Sequence, residues 1–200
     1  VSHDLRTPLT RLKLGLSMQE DSGENLDLIE DVKEMERLIN EFLDFSKYGS
    51  IDDTEETDVM ELANELMSNS NRVSGKLILV STLKTKIIVP LKPLSIKRAL
   101  ENVINNAEKW SENVEFSILV VNKTLIFRID DDGPGIPADK RDEAIRPFTK
   151  LDIARNQNKG GGVGLGLAIS ADIARSHGGE LKLSECFHLG GLRVEIKVPI

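Results

Sequence analysis

"DDDGPGIP", residues 130–137, follows directly on "VEFSILVVNKTLIFRI", residues 114–129. The longer stretch is rich in strand-forming residues on both sides of Asn122-Lys123, so it reads as two strands joined by a tight turn. At the end of the second strand, Gly133 and Gly135 let the backbone turn sharply and approach a ligand closely. Asp131 then places a carboxylate where such a ligand would sit. A carboxylate there can accept a hydrogen bond from an exocyclic amine, as on adenine. Alone, the stretch reads equally well as a turn around Pro134 with solvated acids.

Working outward, the chain from about residue 58 alternates helix and strand patterns. "DVMELANELMSNSN" (58–71) reads as a helix, and "KLILVST" (76–82) and "KIIVPL" (86–91) as short strands. "PLSIKRALENVINNAEKW" (93–110) reads as a helix with Pro93 near its start, where a missing N–H costs little. "GLGLAISADIARSHGG" (164–179) reads as a helix opened and closed by glycines, and "ELKLSE" (180–185) and "GLRVEIKV" (191–198) as a final pair of strands. Helices on one face of a mixed sheet, an α/β sandwich, follow from this order.

The first fifty residues have another texture. Leu5, Leu9, Leu12 and Leu16 mark one face of a helix, and after the polar turn "EDSGEN" (20–25) so do Leu28, Val32, Met35, Ile39 and Phe42. The second series has heptad spacing. A helical hairpin of this kind covers its seam poorly alone, and pairing two copies into a four-helix bundle solves the problem. The alternative is a hairpin packed on its own chain. "YGSIDDTEETD" (48–58), with Gly49 and an acidic run, reads as a solvated linker.

Composition excludes several classes of function. The 200 residues carry a formal net charge of −7, which argues against a nucleic-acid surface. One cysteine, Cys186, rules out an internal disulfide and fits a reducing compartment. No apolar run reaches the ~20 residues that cross a bilayer, so any membrane attachment is expected through segments outside this sequence.

Two further stretches carry chemistry. In "ENVINNAEKW" (101–110), Asn102 and Asn106 share a helix face while Asn105 points elsewhere. Paired amide oxygens suit a hard cation that completes its shell with water and phosphate, as Mg²⁺ does. Lys109 adds a charge for phosphate, and Trp110 is a stacking surface or core. "KGGGVGLGLAI" (159–169) leads with glycines into a helix whose N–H groups can hold an anion. It matches neither the P-loop nor the dinucleotide fingerprint.

Four stretches in this order, "SHDLRTPLT", "NVINNAEKW", "DDDGPGIP" and "GVGLGLAI", resemble the H, N, G1 and G2 boxes of sensor histidine kinases, nearest to the osmosensing EnvZ type. The resemblance covers nearly the whole chain. It implies an α+β protein: a dimerisation and histidine-phosphotransfer hairpin at 1–50, then at 56–200 an ATP-binding domain of the fold shared with Hsp90-type chaperones and MutL-type repair ATPases. It implies His3 as phosphoacceptor, Asp4 as its general base and Thr7 as a residue that orients water when a regulator is dephosphorylated. Asp131 matches the residue holding the adenine amino group, with Gly133 and Gly135 beside it. Asn102 and Asn106 match the Mg²⁺ and phosphate positions, Lys109 a phosphate contact and Trp110 an aromatic wall. Gly162, Gly164, Leu165 and Gly166 match the segment under the phosphates. "RPFTK" (146–150) resembles the F box, with Phe148 anchoring a lid that bears Lys150 and Arg155. The implied partners are ATP, Mg²⁺, a second copy of the chain and an OmpR-like response regulator, in the cytoplasmic portion of a bacterial inner-membrane sensor. A chaperone- or repair-type ATPase would share the pocket without needing His3. A non-catalytic docking module would need neither.

Pro8 cannot donate to the carbonyl of Asp4, and its ring crowds that turn. The first helix is therefore expected to bend beside His3.

Overall fold

The structure, a computed structural model, describes residues 2–18, 25, 28–29, 31–33, 35–36, 39, 53–80, 86–149 and 164–200. The chain divides into two compact units, Val1–Ile51 and Asp52–Ile200.

In the first unit, helix α1 (Ser2–Ser17) runs on through Pro8. The described residues between 25 and 39 are also helical. Asn25 donates its side-chain N–H to the Leu16 carbonyl at 2.9 Å, satisfying one of the acceptors that the last turn of α1 leaves open. Leu9 and Val32 from the two apolar series are buried. Leu12, Leu28 and Met35 from the same series stay 54%, 50% and 42% exposed, so one chain covers only part of its own seam. Phe42 lies outside the described residues.

The second unit is built on a five-stranded sheet. Strands β1 (Glu55–Asp58) and β3 (Ile88–Leu91) form a small antiparallel pair. The large sheet has the order β2 (Leu77–Leu79), β4 (Val114–Val121), β5 (Thr124–Asp131), β7 (Leu192–Pro199), β6 (Glu180–Glu185). Among the described residues, only the β2–β4 pairing is parallel. Helices α2 (Val59–Val73), α3 (Pro93–Trp110) and α5 (Gly166–Ser176) supply the other layer, and a short helix α4 (Arg141–Ala144) follows β5.

The period of two in β4, β5 and β7 explains the layers. Phe116, Ile118, Leu125, Phe127, Ile129, Val194 and Ile196 are buried, while alternate residues such as Ser117, Arg128 and Glu195 are only half-buried on the other face. Phe116 and Phe127 sit on paired strands with ring centroids 6.4 Å apart. The turn between β4 and β5 places Asn122 and Lys123 at φ 50° and 59°, the conformation that matches a two-residue hairpin to strand twist.

One expectation needs correction. The acidic run at 48–58 is not linker throughout: Glu55–Asp58 pairs with β3, Glu55 opposite Leu91 and Asp58 opposite Ile88. Charged side chains can point outward from such a pair because the ladder needs only backbone groups. Asp58 then accepts the N–H of Met60 and of Glu61 at 3.0 and 3.3 Å, capping α2. As a result "KIIVPL" joins this pair rather than the large sheet, and Pro90 is tolerated on a strand that is itself an edge.

Candidate functional site

Asp131 ends β5 with its side chain on the helix-covered face. Its Oδ1 accepts the N–H of Gly133 at 2.9 Å and the N–H of Leu192 at 3.1 Å. Among the described residues nothing donates to Oδ2. Burial pushes the carboxyl above the usual carboxylate range, against the pull of those two N–H groups, with Asp132 and Asp130 adding to the rise. Glycine makes this approach possible. A Cβ on Gly191 would lie 2.5 Å from Asp131 Oδ1 and 2.6 Å from the Gly133 nitrogen. A Cβ on Gly133 would lie 3.0 Å from the same Oδ1 and from the Trp110 carbonyl oxygen. Next in sequence, Asp132 accepts the backbone N–H groups of Glu112 and Asn113 and the Asn113 side-chain amide, tying the end of α3 to β5. Those Asn113 hydrogen bonds hold Asp132 below the usual range.

The second part of the site lies where α3 meets α5. Asn102 and Asn106 are half-buried and Asn105 is exposed. The Asn102 amide nitrogen is buried and has no partner among the described residues. Such an orphaned donor is costly unless something accepts from it. Gly166, the first residue of α5, lies over it: a Cβ there would stand 3.7 Å from the Asn102 Cβ. Leu165, the buried N-cap, gives α5 no side-chain cap, and the first turn holds no acidic residue, so its N–H groups are left for another acceptor. Ser170 Oγ donates to the carbonyls of Ala99 and Gly166, fastening α5 to α3. The Lys109 ammonium lies 4.9 Å from the Trp110 ring centroid, over a half-buried ring.

The segment leading to α5 is held by backbone. The Phe148 N–H donates to the Gly164 carbonyl at 3.0 Å. Phe148 itself has φ 63° and is 60% exposed as a residue, and the attachment described is made by its main chain. Gly164 has φ 77°, and a Cβ there would fall 2.9 Å from the Thr149 carbonyl carbon.

These two parts share helix α3. Asn102 and Trp110 are eight residues apart, about 12 Å at the helical rise. An elongated ligand with an amine-bearing ring at the Asp131–Trp110 end and negative charge at the Asn102–Gly166 end fits this layout. Asn106 and Lys109 lie between, and Gly135 (φ 67°) lies 3.5 Å, by its virtual Cβ, from the Gly191 carbonyl. Lys150, Arg155 and Gly162 lie outside the described residues. His3, Asp4 and Thr7 lie on α1 in the other unit, where only their backbone is described.

Sequence reasoning missed Leu192, whose N–H donates to Asp131, and Gly191, whose missing Cβ lets that approach happen, because two glycines after a strand signal only a turn. His177 is the C-cap of α5. In the structure Lys92 N–H donates to His177 Nε2 at 3.1 Å, and Nδ1 lies 2.8 Å from the Ile173 carbonyl. With Nε2 accepting from Lys92, Nδ1 is the ring nitrogen placed to donate to the Ile173 carbonyl.

Residues 91–200 match the family of histidine kinase-, DNA gyrase B- and HSP90-like ATPases, and residues 1–51 match the His Kinase A (phospho-acceptor) domain. The chain belongs to the sensor histidine kinases. It is 33% identical over 199 residues to the sensor histidine kinase GtrS of Pseudomonas aeruginosa and 34% identical over 212 to CpxA of Escherichia coli K12. Both alignments cover 100% of this chain but only 40% and 46% of those proteins, so the chain spans under half the length of these relatives. The solved histidine kinase domain of the E. coli osmosensor EnvZ superimposes with a TM-score of 0.57 at 29% identity, over 76% of this chain and 92% of that one. The second unit therefore has the fold of a histidine kinase ATP-binding domain. Among the described residues no helix is long and apolar enough to cross a membrane.

Proposed function

We propose that this chain is the phosphotransfer and ATP-binding part of a sensor kinase. Residues 1–50 dimerise and present His3; residues 56–200 bind Mg-ATP and deliver its γ-phosphoryl group to His3. The phosphoryl group then passes to an aspartate of an OmpR-like response regulator, and the same protein dephosphorylates that regulator. The reading places the chain on the cytoplasmic side of a bacterial inner membrane, attached through segments outside this sequence.

One observation carries the nucleotide assignment: the buried Asp131 carboxylate, gripped through Oδ1 by two backbone N–H groups, keeps Oδ2 for an incoming donor. The adenine amino group is that donor. Trp110 forms the wall beside it. Asn102 and the first turn of α5 receive the phosphates, with Lys109 adding positive charge. Gly164 and Gly166, on either side of Leu165, let the backbone close in on them, and the resemblance assigns Gly162, Lys150 and Arg155 to the same phosphates. The orphaned amide of Asn102 fits such a ligand. Asn102 and Asn106 would hold Mg²⁺, which when bound neutralises charge on the phosphates.

His3 attacks through a neutral ring nitrogen, a form common near neutral pH. Asp4, its neighbour, orients the ring and takes the proton released as the P–N bond forms and the bond to the leaving ADP oxygen breaks. Thr7 lies one turn further along α1, where its hydroxyl can position a water for attack on the phosphorylated regulator. Dimerisation is supported by the exposed Leu12, Leu28 and Met35, a seam that a second copy would cover.

Incubation with γ-labelled ATP tests the reading. Acid-labile, base-stable label that disappears in His3→Ala is expected. Phosphate release without protein label would instead make the chain an ATPase of the chaperone kind. Thr7→Ala should keep self-labelling while regulator dephosphorylation falls, and equal loss of both would remove the separate role of Thr7.

A further inference from the structure

On the face of the sheet away from the helices, three metal-ligating side chains converge. Asp130 comes from β5, and Cys186 and His188 from the turn between β6 and β7; one ligand atom from each lies within 4.8 Å of the others. Cys186 Sγ and His188 Nδ1 are 3.3 Å apart. A thiolate and an imidazole on one tetrahedral zinc, at about 2.3 and 2.0 Å from the metal, stand about 3.5 Å from each other. This pair is thus already near its ligated spacing.

The surroundings fit the same chemistry. His188 Nε2 lies 2.8 Å from Glu115 Oε2. With Nε2–H donating to Glu115, the lone pair of Nδ1 is left facing Cys186, the outer-shell arrangement that fixes the tautomer of a metal-bound histidine. The turn is braced by Cys186 N–H to the Gly191 carbonyl at 2.9 Å and Gly190 N–H to the Cys186 carbonyl at 2.6 Å. Asp130 also holds Arg193, at 2.7 and 2.8 Å, so a bound cation shares this carboxylate with a guanidinium. The charges still balance. Asp130 and Glu115 against Arg193 leave one negative charge; a divalent cation that displaces one thiol proton brings the cluster to neutrality.

We propose that Asp130, Cys186 and His188 form a site for a divalent cation of the zinc class, with Glu115 orienting His188. The Sγ–H proton passes to solvent as the Sγ–metal bond forms, and water completes the tetrahedron. The site uses the opposite face of β5 from Asp131 and shares with the nucleotide pocket the turn at Gly191.

Cobalt titration of the whole chain tests this, because Cys186 is its one cysteine and any thiolate-to-cobalt charge-transfer band reports that residue alone. The band should appear in the near ultraviolet, bleach on adding Zn²⁺ and vanish in Cys186→Ser. His188→Ala and Glu115→Gln should each weaken cobalt binding about 10- to 100-fold with the melting temperature unchanged. No thiolate band on the folded wild-type protein overturns the proposal. So does a band that survives Cys186→Ser, or cobalt affinity unchanged in His188→Ala.

Discussion

Replacing Asp131 by Asn separates ligand recognition from folding. Oδ1 accepts two backbone N–H groups at 2.9 and 3.1 Å, so an asparagine must put its amide oxygen there. Its NH₂ group then occupies the place of Oδ2. An acceptor facing the pocket becomes a donor, and the adenine amine meets another N–H. A hydrogen bond to a charged acceptor is worth about 1.5–3 kcal/mol, which corresponds to a loss in ATP affinity of about 10- to 150-fold. Guanine carries an oxygen where adenine carries that amine, so the preference for ATP over GTP should shrink as well. Stability should move the other way. Burial raises the folded-state pKa of Asp131 above its unfolded value. Stability from this group is therefore fully present below the unfolded pKa and is lost as pH rises through the folded pKa. At neutral pH the ionised form opposes folding, and Asn relieves that opposition while keeping both N–H bonds. Calorimetric titration with ATP and GTP, alongside a thermal melt, measures both effects. Unchanged ATP affinity in a folded Asp131→Asn protein would refute the assignment of the pocket.

Gly191→Ala drives a methyl into Asp131 and Gly133; both ATP affinity and melting temperature should fall, and a normal melt would show that the turn yields freely. Arg193→Ala leaves the Asp130 carboxylate buried and unpaired. About 2–4 kcal/mol of stability should go, somewhat below the range for fully buried pairs because part of Arg193 is wet, and urea unfolding reads it directly. His177→Ala deprives the Lys92 N–H of its acceptor, and about 1–3 kcal/mol should be lost by the same measurement. Asp132 is held low by Asn113, so its contribution to stability is present above its unfolded pKa and fades as pH falls through the folded pKa. Asp132→Asn should therefore flatten the acid limb of the stability profile, and an unchanged limb would count against it.

The strand pair in 114–131 was legible from strand-forming residues on both sides of a turn signal at Asn122-Lys123, and the helix at 93–110 from Pro93 near its start. The strand at Glu55–Asp58 was not, since its residues are acidic and its stability comes from backbone pairing with Ile88–Leu91. For the site, Asp131 and Asn102 were readable because their side chains supply the chemistry. Gly191 and Leu192 contribute only an absent Cβ and an N–H, and their nearness to Asp131 depends on β7 lying beside β5, some sixty residues away. The hydrogen bond between Lys92 and His177 was hidden for the same reason.

Asp130 and Asp131 are neighbours in the chain yet serve opposite surfaces of the molecule. Sliding β5 by a single position would swap these two acids and, in the same movement, expose Phe127 and Ile129 to water. The ligand preference of the pocket and the integrity of the hydrophobic layer are thus welded to one alignment. An insertion or deletion within the strand would break both at once, whereas one in a connecting turn leaves the alignment intact.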